Sequence, residues 1–220
     1  MSVIKKQASE KLSNFFSKFK KLSFRKGETI LRASEKPSGV FYLKKGYARI
    51  YSISKDAQEL TFIIYKPGDF FPTIWPIQGP PLRYYTEALT NIEVYLAPKE
   101  EFQKLIKANN EILFEITNRI ITRFAGLLLR MEYSIFGNAY NKVAAIIILC
   151  AERFGIIKKN SILIQVPLTH QDIANLLGVA RETVSIEMEK LQEKGLIGHL
   201  GKFLVIKDIQ RLKEESVLET

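Results

Sequence analysis

A chain of 220 residues with 46% hydrophobic and 25% charged content has room for two modest domains and a connecting element, and its texture is that of an ordinary soluble globular protein. No apolar run approaches the length of a bilayer span, and a single cysteine excludes both an internal disulfide framework and a four-cysteine iron–sulfur cluster within one chain. The formal net charge of +10 favours nucleic acid in general terms, yet it is concentrated in residues 1–49, where 13 Lys/Arg stand against 3 Asp/Glu; across residues 138–220 the counts are 11 and 10.

The N-terminus, MSVIKKQASEKLSNFF, has no apolar export segment, so a cytoplasmic location is expected. Residues 9–22 read as a helix with Leu12, Phe15, Phe16, Phe19 and Leu22 on one face and Lys11, Lys18, Lys20 and Lys21 elsewhere. Such a helix suits either a membrane surface or the flank of the following domain. Docking is favoured, because the large apolar groups form a face and no lipidation motif is present.

From Leu22 to Leu96 the texture becomes short β-rich runs: Glu28–Leu31, Val40–Leu43, Ala48–Ile53, Glu59–Ile64 and Ile92–Leu96. Lys45-Gly46, Lys55-Asp56 and Pro67-Gly68-Asp69 mark tight connections. This spacing predicts an antiparallel roll or barrel. Pro98 then opens a helix, PKEEFQKLIKANN, followed by a longer one over Asn110 to Ile135. The longer helix carries a broad stripe of Ile112, Ile116, Ile120, Phe124, Leu127, Leu128, Met131 and Ile135 at mixed three- and four-residue steps. About 25 helical residues span roughly 38 Å, natural for a dimer seam. Gly137-Asn138 reads as a hinge, and NKVAAIIILCAERFG opens the last domain, with Cys150 expected to be a buried small hydrophobe.

The segment Leu168–Ile197, LTHQDIANLLGVARETVSIEMEKLQEKGLI, is the most informative. Thr169 with Asp172 three residues later makes a helix start in which side chains satisfy orphan N–H groups. Ile173, Ala174, Leu176 and Leu177 give that helix a buried side, and Gly178 is suited to a left-handed exit. A second helix begins near Ala180, with Val184, Met188 and Leu191 as its apolar stripe and Arg181, Glu182, Ser185 and Glu189 on the opposite side. Gly195 ends it, and a hairpin turning at Gly201-Lys202 returns through Phe203, Val205 and Ile206. Two short helices about a tight turn, then a hairpin, is the layout of a winged helix-turn-helix.

TxxDIAxLLGVxRETVSxxxxxLxxKGLI closely resembles the helix-turn-helix of the CRP/FNR family of bacterial transcription regulators, and FRKGETI, GVFYLKKGYARIY and KPGDFF resemble strands of the cyclic-nucleotide-binding fold. The resemblance implies an α+β chain: an antiparallel, jelly-roll-like β-roll over residues 1–108, a dimerisation helix and hinge over 109–137, and a winged helix-turn-helix domain over 138–220. It further implies a homodimer on double-stranded DNA, RNA polymerase as a further partner, no enzymatic activity, and Ile116, Ile120, Phe124, Leu127 and Met131 in the dimer interface.

The ligand region departs from the nucleotide-binding relatives. There a Gly-Glu-Leu turn and an Arg followed by Ser or Thr hold the cyclic phosphate and ribose. Here GDFFPTIWPIQGPPLRYY puts Pro72-Thr73 where Gly-Glu is expected, and Pro72, Pro76, Pro80 and Pro81 remove donors and resist a helix. Arg83 matches the phosphate arginine, but Tyr84 follows it, and Leu127-Leu128 stand where relatives place a hydroxyl pair against adenine. Cyclic AMP is therefore not the expected ligand. Arg83, Tyr84, Trp75, Leu127 and Leu128 remain a candidate pocket for a more apolar effector of unknown identity, and no ligand at all is the other reading.

On DNA, the fork of Arg181 suits guanine O6 and N7, and Glu182 can accept from cytosine N4. Ser185 can reach a base or a phosphate, and Thr183 a phosphate. Thr169, His170 and Gln171 open the preceding helix, placed to meet the backbone, and Lys202 in the wing is a phosphate candidate. Relatives often carry a second arginine where this chain has Ile186, which can pack on a thymine methyl but cannot donate. Ala180 replaces the usual Ser or Thr cap, at a cost of ~1 kcal/mol in helix stability. The histidines, His170 and His199, bring no metal-ligand cluster, no nucleophile–histidine pairing is evident, and no cofactor is expected. A regulator whose β-roll mainly binds a small molecule is the alternative.

Overall fold

A computed structural model describes residues 3–79 and 82–216; Pro80 and Pro81, whose effect on the loop was anticipated above, lie outside the described residues. The chain divides into two compact units, residues 1–57 with 62–123, and residues 58–61 with 124–220.

The first unit opens with helix α1 (Val3–Phe16) and strand β1 (Lys20–Phe24). The single amphipathic helix expected over residues 9–22 therefore ends early: Leu22 lies in β1, paired with Val94, so the apolar spacing continues across a helix–strand junction. Strands β2 (Thr29–Leu31), β3 (Val40–Lys45), β4 (Ala48–Ile53), β5 (Glu59–Tyr65) and β6 (Phe70–Phe71) follow. Then come helix α2 (Trp75–Gln78), strands β7 (Tyr85–Ala88) and β8 (Ile92–Ala97), and helix α3 (Lys99–Ala108). Helix α4 (Asn110–Ile135) matches the expected span and runs through the boundary between Arg123 and Phe124.

Two antiparallel sheets, ordered β1-β8-β3-β6 and β2-β7-β4-β5, form the roll. The run Val40–Leu43 shows why β3 is apolar on both faces. Phe41 and Leu43 pack with Leu31, Ala48, Tyr65, Phe71, Ala88, Ile92 and Val94 in a cluster shared by both sheets. Val40 and Tyr42 point the other way, into a cluster with Leu12 and Phe16 of α1, Phe102 of α3, and Ile112 and Ile116 of α4. Burying side chains such as Leu12 and Phe16 contributes about 1.5–3 kcal/mol each, so the docked placement of α1 is the observed one. At Gly39, before β3, an added Cβ would lie 2.4 Å from the Ala97 carbonyl, which explains glycine at that close approach.

The same cluster corrects one expectation. Ile116, anticipated at a dimer seam, is 2% exposed inside the protomer, because α4 is apolar on more than one side. A second correction concerns α2, which forms despite its prolines: Pro76 falls in the first turn, where its missing N–H would have no helical acceptor.

In the second unit, α5 (Ala139–Phe154) starts at Asn138, whose side chain exchanges capping bonds with Asn141. Cys150 is buried on α5 and its thiol is pushed up to about 12 by that burial. Strands β9 (Gly155–Lys158) and β10 (Ser161–Ile164) precede α6 (His170–Leu177) and α7 (Arg181–Glu193). Strands β11 (Ile197–Leu200) and β12 (Phe203–Ile206) and helix α8 (Ile209–Glu214) complete it, with a sheet ordered β11-β12-β10-β9.

Candidate nucleic-acid interface

The turn between α6 and α7 is built as its residues dictate. The Asp172 N–H donates to Thr169 Oγ1 at 3.1 Å, while the Thr169 N–H donates to Asp172 Oδ2 at 2.8 Å, closing a capping box. Gly178 leaves α6 at φ 70°, a left-handed conformation that favours glycine. α7 then starts at Ala180 with no side-chain cap. Val184, Met188 and Leu191 are buried and Leu196 follows them into the core. The opposite side leaves Arg181, Glu182, Ile186, Glu189 and Lys190 exposed.

Two candidate contacts are already engaged. The hydroxyl of Thr169 is held by the capping box, donating to Asp172 Oδ2 at 2.6 Å. The Gln171 amide donates to Asn175 Oδ1 at 2.8 Å, and Asn175 donates to Glu59 Oε2 at 2.9 Å. Ser185 is half-buried, its Oγ 2.8 Å from His170 Nδ1 and 3.1 Å from the Arg181 carbonyl oxygen. His170 is shifted below the usual imidazole range, first by burial and then by the neighbouring His199 and Arg181. In the wing, Lys202 is exposed beside the Phe203 ring, and His199 Nδ1 lies 3.3 Å from Gln192 Nε2. Thr183 is half-buried.

The arginines of α4 are functional candidates that sequence reading passed over. Arg119 donates to Glu115 Oε1 at 2.8 Å and to the Gly68 carbonyl at 2.6 Å. Arg123 pairs with Asp69 at 2.8 Å, donates to Thr73 Oγ1 at 3.2 Å and covers the Tyr65 ring. Arg130 donates to the carbonyls of Thr61, at 2.9 Å, and Leu176, capping the C-terminal turn of α6. Their spacing on one helix was the available signal.

The candidate effector residues are not brought together within one unit. Trp75 is buried in the first unit with Lys99 Nζ 4.7 Å from its ring centre, whereas Arg83 and Tyr84 are exposed, the latter packed on Phe62. Leu127 and Leu128 belong to the second unit. In the segment matching the phosphate turn, Pro72 offers no N–H, and Thr73 accepts from Arg123 and supplies no carboxylate. Among the described residues, no group of metal-ligating side chains is present, and no helix is long and apolar enough to cross a membrane.

A capped helix, a glycine turn, a second helix with an exposed polar face and a β-wing define a winged helix-turn-helix DNA-binding domain. Residues 122–215 match the Crp-like helix-turn-helix domain and residues 21–109 the cyclic nucleotide-binding domain. Similar proteins include the global nitrogen regulator of Nostoc sp., 23% identical over 190 residues and covering 85% of each chain. Another is the cAMP-activated global transcriptional regulator CRP of Pasteurella multocida, 24% identical over 179 residues, 81% of this chain and 85% of the relative. FixK2 from Bradyrhizobium japonicum shares the fold with a TM-score of 0.78 at 22% identity, over 91% of this chain and 98% of that one. The chain belongs to the CRP/FNR family of transcription regulators.

Proposed function

We propose that this regulator acts as a homodimer on an inverted-repeat DNA site, reading bases through Arg181, Glu182 and Ser185, and does so independently of cyclic AMP. The observation that carries the dimer is the outer face of α4. Phe114, Ile121, Leu128 and Ile135 recur every seven residues, and Thr117, Phe124 and Met131 interleave with them. Phe114, Ile121, Phe124, Met131 and Ile135 are each more than half exposed, and Leu128 nearly so. That a/d repeat suits a two-stranded coiled coil with a second copy. Phe124 and Met131 thereby keep the role expected of them, Ile121 and Leu128 replace Ile116 and Leu127, and Ile120 flanks the seam. A two-fold dimer sets its recognition helices one DNA turn apart.

Arg181 and Glu182, both exposed at the start of α7, are the base readers; Ile186 offers an apolar contact, Thr183 and Lys202 phosphate contacts. Independence from cyclic AMP rests on Pro72, on Thr73 engaged by Arg123, and on the exposed Arg83 followed by Tyr84. Such a regulator works in the cytoplasm, where it meets DNA and RNA polymerase. A β-roll that senses a different, more apolar effector is the second reading, favoured by the buried Trp75 beside this altered segment. Sedimentation of the protein with duplex DNA, and calorimetric titration with cyclic AMP, test the proposal. Two chains per duplex and no cyclic AMP heat are expected; one chain per duplex, or saturable cyclic AMP binding, would overturn it.

A further inference from the structure

We propose that His170 sets the base preference of Ser185, by holding its hydroxyl so that it meets DNA as a hydrogen-bond acceptor. This rests on α7 being the recognition helix. A serine hydroxyl has one proton and two lone pairs. Ser185 Oγ lies 3.1 Å from the Arg181 carbonyl oxygen, which can only accept, and 2.8 Å from His170 Nδ1, which accepts or donates according to tautomer. In either tautomer the hydroxyl proton is spent inside the protein, on the carbonyl or on the ring. What remains to face outward is a lone pair.

That choice carries sequence information. In the major groove, adenine N6 and cytosine N4 offer hydrogens, whereas thymine O4 and guanine O6 and N7 only accept. An acceptor at Ser185 therefore favours adenine or cytosine and rejects thymine and guanine. The ring that holds it is itself fixed. His170 is the first residue of α6, enclosed by the Thr169–Asp172 capping box, so its backbone is ordered before DNA arrives. Arg181 of α7 and His199 of β11 face it from the packed elements, and burial first, then these two groups, disfavour the imidazolium. With His170 absent, the hydroxyl samples other staggered positions and can donate as well as accept.

The test is selection of sequences from random duplex DNA by the full-length protein and by single variants. The wild type is expected to prefer adenine or cytosine at one position of each half-site. Ser185→Ala and His170→Ala should each reduce that preference roughly tenfold, the value of one base-pair mismatch, with other positions unchanged. His170→Asn, whose amide oxygen can stand where Nδ1 stands, should restore it. His170→Gln keeps a polar residue at the start of α6 but carries its amide past Ser185; it should lose the preference, which guards against a folding defect in the alanine variant. The double variant of His170 and Ser185 should be no worse than Ser185→Ala. Full preference retained in His170→Ala and His170→Gln, while Arg181→Ala loses its own position, would overturn the role of His170 and leave the recognition helix standing. If the wild type enriches no sequence, the recognition-helix reading fails, and this inference with it.

Discussion

Arg123 of α4 and Asp69 of the turn before β6 form an ion pair at 2.8 Å, with side chains only 8% and 10% exposed. Two charges so placed are held by each other and by their surroundings: the carboxylate also accepts from the Lys66 N–H at 2.9 Å, and the guanidinium donates to Thr73. The pair fastens the middle of α4 to the segment that forms the phosphate turn in nucleotide-binding relatives.

Removing one partner leaves the other charge buried and uncompensated. Arg123→Met is therefore expected to destabilise the protein by about 3–5 kcal/mol, read from urea unfolding, whereas adding Asp69→Leu should recover much of the loss. Equal costs for the single and double variants would show that the pair contributes nothing beyond packing.

The two apolar faces of α4 should respond differently to charge. Phe124→Glu, on the outward face, is expected to weaken self-association by roughly 100-fold or more while leaving the fold intact, measured by sedimentation at graded concentration. Ile116→Glu, in the protomer core, is expected to unfold the first unit instead, with loss of its cooperative melting transition.

On DNA, Arg181→Ala should lose about 1–3 kcal/mol of specific binding and relax specificity at its own base position. Lys202→Ala should weaken specific and scrambled duplexes alike and reduce the salt slope by about 1, as removal of one phosphate contact does. Identical behaviour of the two variants in salt-titrated binding would contradict the division into base reader and phosphate contact.

Acid should weaken the second unit through His170. Its folded-state value lies below the ordinary 6.5, so the unfolded chain takes up the proton first. The stability this gives is fully present above about pH 6.5 and is lost as pH falls through the lower folded value. Unfolding measured between pH 7.5 and 5 should show a drop in the wild type that is smaller in His170→Asn.

The helix-turn-helix was readable from the chain because its determinants are local. Thr169 and Asp172 cap within one turn, Gly178 takes its left-handed angle alone, and Val184, Met188 and Leu191 fall on one stripe. Most roll strands showed as apolar runs, but β7 (Tyr85–Ala88) did not, since Thr86 and Glu87 interrupt it and its place comes from pairing with β2 and β4. Ile116 was grouped with the outward residues for a related reason. Ile112 and Ile116 face the protomer core, while Phe114, Ile121, Phe124 and Leu128 face outward, and a stripe counted at mixed steps merges both faces. Gly68, held by Arg119, and Asp69 and Thr73, held by Arg123, lie about fifty residues away in the chain, and no local pattern announces them. The link between His170 and Ser185 joins two helices across the turn and likewise required the fold.

The most direct test is selection of duplexes from random DNA by the purified protein, with and without cyclic AMP. The homodimer should enrich an inverted repeat with half-sites one helical turn apart, unchanged by the nucleotide. Enrichment of a single unpaired half-site, or enrichment that requires cyclic AMP, would contradict it.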